Sequence, residues 1–261
     1  MRPVEMTAFI ESLAQMSGEA ILPFFRTRLN VQDKNAAGVF DPVTEADRAA
    51  ETVIRRRIRE TFPSHGILGE EFEDENLDAE YVWVIDPIDG TRSFICGLPV
   101  WGTLIGLMRS NHPVMGVMHQ PYTGEMFIGD GAQAFVKGPR GKRELQARQC
   151  EMLSSAHLMT TDPRLFKGAE HEGYQRVEQA VKLARYGADC YAYAMLAAGQ
   201  VDLVIETGLK PYDIVALIPI IEGAGGVITN WDGASAKDGG RILAAATPAL
   251  HKAALELLHS A

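Results

Sequence analysis

The feature that most constrains this chain is a short apolar run that stops on acid. Tyr81-Val-Trp-Val-Ile85 has the β-branched and aromatic composition of a buried strand. It leads directly into Asp86-Pro-Ile-Asp89-Gly-Thr91, with two aspartates three residues apart. A strand ending this way can aim both carboxylates at one point beyond the sheet edge. Oxygen ligands of that kind suit a hard divalent cation such as magnesium, and backbone carbonyls can complete its shell. Gly90 permits the close backbone approach that a phosphate needs. Thr91 adds a hydroxyl and opens a helical turn, whose free N–H groups attract anions. Asp-Pro and Asp-Gly are also frequent turn dipeptides, so the segment alone fits an ordinary turn equally well.

The rest of the chain alternates helical and strand patterns. Phe9, Ile10, Leu13, Met16, Ala20 and Phe24 recur at helical spacing and predict a helix from Thr7 to about Phe25, with Pro23 kinking or ending it early. A loop or hairpin is expected over Asp33-Lys-Asn-Ala-Ala-Gly38. A second helix should run from Thr44, its N-cap, to about Thr61, with Asp47 in its first turn and Phe62-Pro63 stopping it. Strands are expected at Thr103–Met108, Val114–His119 and Glu125–Ile128, and turns at Asn111-His-Pro and Gly129-Asp-Gly131. Further on, Tyr174–Leu183, Ala188–Ala198 and Asp213–Ala224 read as helices, the last with a kink or late first turn at Pro219. Val201–Ile205 and Gly226–Thr229 read as strands. Alternation of this kind implies a mixed α/β layered architecture. Residues 1–140 and 141–261 form two expected subdomains, joined near Lys137 to Gln146 and packed as one unit.

Composition narrows the function. A length of 261 residues can bury an ample core, and 46% apolar residues is an ordinary globular value, which excludes a disordered or membranous chain. The net charge of −9 supplies no basic excess for nucleic acid. An acidic protein that binds a small phosphate therefore needs a metal or a local set of donors. Cys96, Cys150 and Cys190 are odd in number and widely spaced, so no disulfide framework is expected and a reducing cytoplasm is the simplest setting. No stretch approaches the apolar length that spans a bilayer. The seven histidines show no HExxH or paired spacing, which disfavours zinc. Gly223-Ala-Gly225-Gly226 is not a dinucleotide loop, because Ile228 stands where a third glycine is required; it reads as a helix C-cap.

Other acids have bland readings when taken singly. Glu70-Glu71 fits a solvated pair, Asp41-Pro-Val-Thr-Glu-Ala-Asp47 a capped helix start, and Asp213 an N-cap or first-turn acid. Their conjunction is more specific. Asp41-x-x-Thr44-x-x-Asp47, Gly69-Glu70-Glu71, Trp83-Val-Ile-Asp86-Pro-Ile-Asp89-Gly-Thr91 and Tyr212-Asp213 … Glu222-Gly-Ala-Gly-Gly226 occur in the order of the inositol monophosphatase family, which the chain resembles from Asp41 to Gly226.

That resemblance implies a layered α-β-α-β-α sandwich, two or three Mg²⁺ ions and a homodimer. It implies Glu70, Asp86, Asp89, Asp213 and the Ile88 carbonyl as metal ligands. Asp47, Glu70 and Thr91 would hold and activate the attacking water, and Gly90 and Thr91 would present N–H groups to the phosphate. Tyr212 departs from the tryptophan usual before the last aspartate and so alters the pocket wall. Independently, several carboxylates crowded together raise one another's pKa, and divalent ions would relieve that repulsion. The expected chemistry is in-line attack of an activated water on phosphorus, since no serine or cysteine lies in a nucleophile motif. The intact water-activating set argues against a non-catalytic binding protein.

For the alcohol, Gly97-Leu-Pro-Val-Trp101-Gly-Thr-Leu-Ile-Gly-Leu107, Cys190-Tyr-Ala-Tyr-Ala-Met-Leu-Ala-Ala-Gly199 and Leu209-Lys-Pro-Tyr-Asp213 resemble the histidinol-phosphatase branch. This implies L-histidinol phosphate and a step of histidine biosynthesis, with inositol-1-phosphate and nucleotide 3′-phosphates as alternatives. Glu206 occupies the family position that contacts the non-phosphate part of the substrate, and its carboxylate could pair with an ammonium or accept from hydroxyls. Arg185 fits either a substrate contact or a subunit interface.

Overall fold

The computed structural model describes residues 3–28, 32–33 and 42–259. Asp41, and residues 34–38 of the expected loop, lie outside them. Helix α1 (Pro3–Ile21) places Phe9, Ile10, Leu13 and Ala14 on one buried stripe. It stops before Phe25 because Pro23 has no N–H for the helical ladder; Leu22–Phe24 tighten into a 3₁₀ turn instead. Two short antiparallel strands follow, β1 (Gln32–Asp33) and β2 (Pro42–Val43). Helix α2 (Glu45–Thr61) opens on a capping box: Thr44 Oγ1 accepts from the Ala46 N–H at 3.2 Å, and Asp47 Oδ2 accepts from the Thr44 N–H at 2.8 Å.

A seven-stranded sheet then forms in sequential order from β3 (Gly66–Gly69), β4 (Tyr81–Asp89), β5 (Gly102–Arg109), β6 (His112–Gln120), β7 (Glu125–Gly129), β8 (Ala134–Gly138) and β9 (Gly141–Glu144), with the short helix α3 (Thr91–Ile95) after β4. β3 and β4 are parallel and the remaining neighbours antiparallel. The apolar run of β4 was expected to end at Asp86. The strand in fact continues to Asp89, with its register to β5 slipping between Asp86 and Asp89. That irregularity accommodates Pro87, which cannot donate to a ladder.

The second sheet has five strands in the order β11-β10-β12-β14-β13, from β10 (His157–Thr160), β11 (Leu183–Tyr186), β12 (Leu203–Leu209), β13 (Val227–Asn230) and β14 (Gly240–Ala245). Around it lie α4 (Ala169–Ala180), α5 (Asp189–Ala197), α6 (Pro211–Ile214), α7 (Leu217–Gly223) and α8 (Pro248–His259). The helical pattern of Asp213–Ala224 divides into α6 and α7, and Pro219 falls in the first turn of α7, where an N–H has no helical acceptor. The Tyr174–Leu183 pattern ends early, at Ala180, and Leu183 begins the edge strand β11.

Strand alternation explains the layering. Ile105 and Leu107 of β5 join Trp83, Ile85 and the inner faces of α1 and α2, while Leu104 faces α5, α6 and α7. Val204, Ile242 and Ala244 of the second sheet meet those same central helices. Leu203, Ile205 and Leu243 point the other way, against Tyr174 and Val177 of α4 and Leu250 and Ala254 of α8. The result is the α-β-α-β-α sandwich.

Candidate active site

The end of β4 and the start of α6 bring three carboxylates together. One oxygen from each of Asp86, Asp89 and Asp213 lies within 4.8 Å of the others. Each acid is oriented by a backbone N–H. Ile88 donates to Asp86 Oδ1 at 3.0 Å, Cys190 to Asp89 Oδ2 at 2.6 Å, and Lys210 to Asp213 Oδ2 at 2.6 Å. The Ile88 carbonyl accepts from Thr91 Oγ1 at 3.1 Å. Glu70, immediately after β3, lines the same cleft of about 400 Å³, as do Ile88, Gly90, Thr91 and Glu206.

Electrostatically this is an unfavourable place for carboxylates. Burial holds Asp86 well above the usual carboxylate range, and the charges of Glu70, Asp89 and Asp213 add to it. Asp89 is raised likewise by burial and then by Asp189 and Asp213. Asp213 is pushed up to about 7 by burial, against the help of its Lys210 hydrogen bond. Such a cluster is stabilised by a cation among the oxygens. The donors are hard oxygens with a backbone carbonyl beside them, a set that fits magnesium.

Asp47 is 1% exposed at the head of α2, where Oδ2 accepts from the Thr44 hydroxyl at 2.6 Å; it does not line the cleft. Glu206, on β12, accepts from the Thr161 N–H at 2.6 Å and the Thr161 hydroxyl at 3.0 Å, and burial raises it to about 8. Arg185 is not brought to the cleft. It lies exposed on the edge strand β11, its guanidinium donating to the Ala184 carbonyl at 3.3 Å, and Thr161 and Leu165 form the wall instead.

Asp189 was not anticipated from the sequence. It opens α5 in the left-handed region, φ 45°, accepts from the Ser93 hydroxyl at 2.6 Å and lines the cleft. A Cβ on Gly90, itself at φ 85°, would sit 2.9 Å from its side chain, so glycine is required there on both counts. Arg92 is the basic residue of the lining. The sequence carries no local signal for Asp189, because nearly a hundred residues separate it from Ser93.

Fold and site together define a metal-dependent phosphatase. Residues 2–261 match the family model described as the inositol monophosphatase family, and the chain belongs to that family. It is 44% identical to the bifunctional phosphatase IMPL2, chloroplastic, of Arabidopsis thaliana, over 95% of this chain and 73% of that protein. It is 34% identical to a histidinol-phosphatase of Chlorobaculum parvum, over 91% of this chain and 90% of the relative. An inositol monophosphatase from Zymomonas mobilis superposes with a TM-score of 0.87 over 100% of both chains, at 35% identity. At the level of the family, the chain is a Mg²⁺-dependent phosphomonoesterase.

Proposed function

We propose that this phosphatase acts on the phosphate ester of a small alcohol that carries a positive charge, L-histidinol phosphate, in histidine biosynthesis. The observation that carries the proposal is the wall beyond the metal ligands. Buried Glu206 and half-buried Asp189 add two further carboxylates to the cleft, and an ammonium group on the substrate would offset them. The name of the Chlorobaculum relative points the same way.

In this reading Asp86, Asp89, Asp213, Glu70 and the Ile88 carbonyl would hold two or three Mg²⁺ ions, which when bound would supply positive charge for the phosphate, the attacking water and the leaving oxygen. Thr91 and Glu70 would orient the attacking water; Asp47, buried at the head of α2 and off the cleft wall, would act through its neighbours rather than touch it. The Gly90 and Thr91 N–H groups hold the phosphate at the start of α3. Attack on phosphorus is in line, with the alcohol leaving from the opposite side.

Inositol 1-phosphate is the second reading. The name of the family and that of the Zymomonas structure favour it, and the comparisons as a whole lean towards it. Glu206 would then accept from ring hydroxyls. The deciding experiment is phosphate release from histidinol phosphate, inositol 1-phosphate and adenosine 3′,5′-bisphosphate, compared by kcat/KM. The proposal expects histidinol phosphate to lead, with the lead shrinking in Glu206→Gln. A preference for inositol 1-phosphate overturns it.

A further inference from the structure

Helix α2 buries charge where a helix normally buries hydrocarbon. Asp47, Glu51 and Arg55 recur at four-residue spacing on its inner face and are 1%, 0% and 2% exposed. Burying an ion pair costs desolvation that hydrophobic replacements would avoid. What Glu51 and Arg55 touch shows what that cost secures. Glu51 Oε1 accepts from Arg55 Nε at 2.6 Å, and its Oε2 accepts from the backbone N–H of Glu71 at 2.9 Å. The Arg55 guanidinium donates onward to the carbonyls of Phe72, at 3.1 Å, and Glu73, at 3.0 Å, and to the Glu75 carboxylate at 2.8 Å.

The pair therefore grips one continuous stretch of backbone, from Glu71 to Glu75, and that stretch begins one residue after Glu70. At the other side Glu70 is pinned by its own N–H, which donates to the Ile85 carbonyl of β4 at 3.2 Å, one residue before Asp86. The approach is close: a Cβ on Gly69 would lie 2.1 Å from Glu51 Oε1 and 2.6 Å from the Arg55 guanidinium. The same helix carries Asp47 at its head, two turns before Arg55.

We infer that Glu51 and Arg55 are positioning residues for the metal centre, clamping the Glu70–Glu75 segment so that the Glu70 carboxylate is held at fixed distance from Asp86 and from the head of α2. Neither side chain lines the cleft, so each acts through Glu70. The inference rests on the reading of Glu70 as a metal ligand. A merely structural pair would affect folding; a positioning pair also affects the affinity of the folded protein for a cation.

The test is calorimetric titration of Mn²⁺ into chelator-stripped protein without substrate, beside thermal unfolding and a split of kcat from KM. Glu51→Gln keeps the shape but weakens the charged grip on Arg55. It is expected to remain folded, to bind Mn²⁺ about tenfold or more weakly, in the range usual for groups that orient metal ligands, and to lose kcat with little change in KM at saturating metal. Arg55→Lys, which retains the charge but loses the forked geometry, should show the same loss of affinity and decides the matter if Glu51→Gln does not fold. Wild-type affinity in either folded variant overturns the inference. Failure of the wild type itself to bind Mn²⁺ overturns instead the assignment of the metal site.

Discussion

Two clusters of charge, one buried on α2 and one lining the cleft, are built on opposite principles. On α2, Glu51 has its positive partner within the protein, and the oxygens and guanidinium nitrogens of the pair reach hydrogen-bond partners. At the end of β4, Asp86, Asp89 and Asp213 meet acid with acid, and Glu70, Glu206 and Asp189 add more. The first cluster is complete when the chain folds. The second is complete only with a cation, so folding prepares a strained set of oxygens for which a metal and a charged substrate are the relief. The contrast separates charge that holds structure from charge that does chemistry.

Asp89→Asn tests the second cluster hardest. Loss of a metal ligand should lower kcat by more than about 100-fold, beyond the range seen for outer groups. Because the substitution also removes a like charge, the metal-free protein should unfold at equal or higher temperature than the wild type. Retained turnover would show that Asp89 is not a ligand. Arg55→Met tests the first cluster in the reverse direction: it strands Glu51 without its cation and should destabilise the fold by about 3–5 kcal/mol in urea titrations. An unchanged midpoint would contradict the pairing.

The acids of the cleft should also make stability depend on pH. In the metal-free protein Glu206 titrates at about 8 against an ordinary 4.5, and Asp213 at about 7 against 3.8. Between those values the folded chain holds protons that the unfolded chain has released, so stability falls as pH rises from about 4 through 8. Saturating Mg²⁺ should flatten that fall, because the metal favours the ionised oxygens. Melting curves across this range with chelator and with Mg²⁺ measure it, and a rise in stability with pH in chelator would contradict it. The smallest effect is expected for Arg59→Ala, which removes the exposed arm of the Arg55–Glu75–Arg59 contact and should cost under about 1 kcal/mol.

The clustering of Asp86, Asp89 and Asp213 was legible because Asp86 and Asp89 sit on one contiguous motif after a recognisable strand, and the family resemblance carried Glu70 and Asp213 to it. Asp189 was not legible, since it joins the cleft through the packing of α5 on the β4–α3 turn, which no local pattern encodes. Strands of four residues such as His157–Thr160 and Leu183–Tyr186 are too short for alternation to mark them. Helix α8 is a different case. Pro248 at its start and Leu250, Ala254 and Leu258 at four-residue spacing are a local helical signal, although no helix was expected there. Glu51 and Arg55 had no distinguishing mark on a charged helix, because burial of such a face depends on what the Glu70–Glu75 segment does above it.

The cluster of acids should work only with a divalent cation. Phosphate release should vanish in exhaustive chelator and return on addition of Mg²⁺, with the chelated protein still folded by circular dichroism. Undiminished release after complete chelation would contradict a metal-dependent reaction.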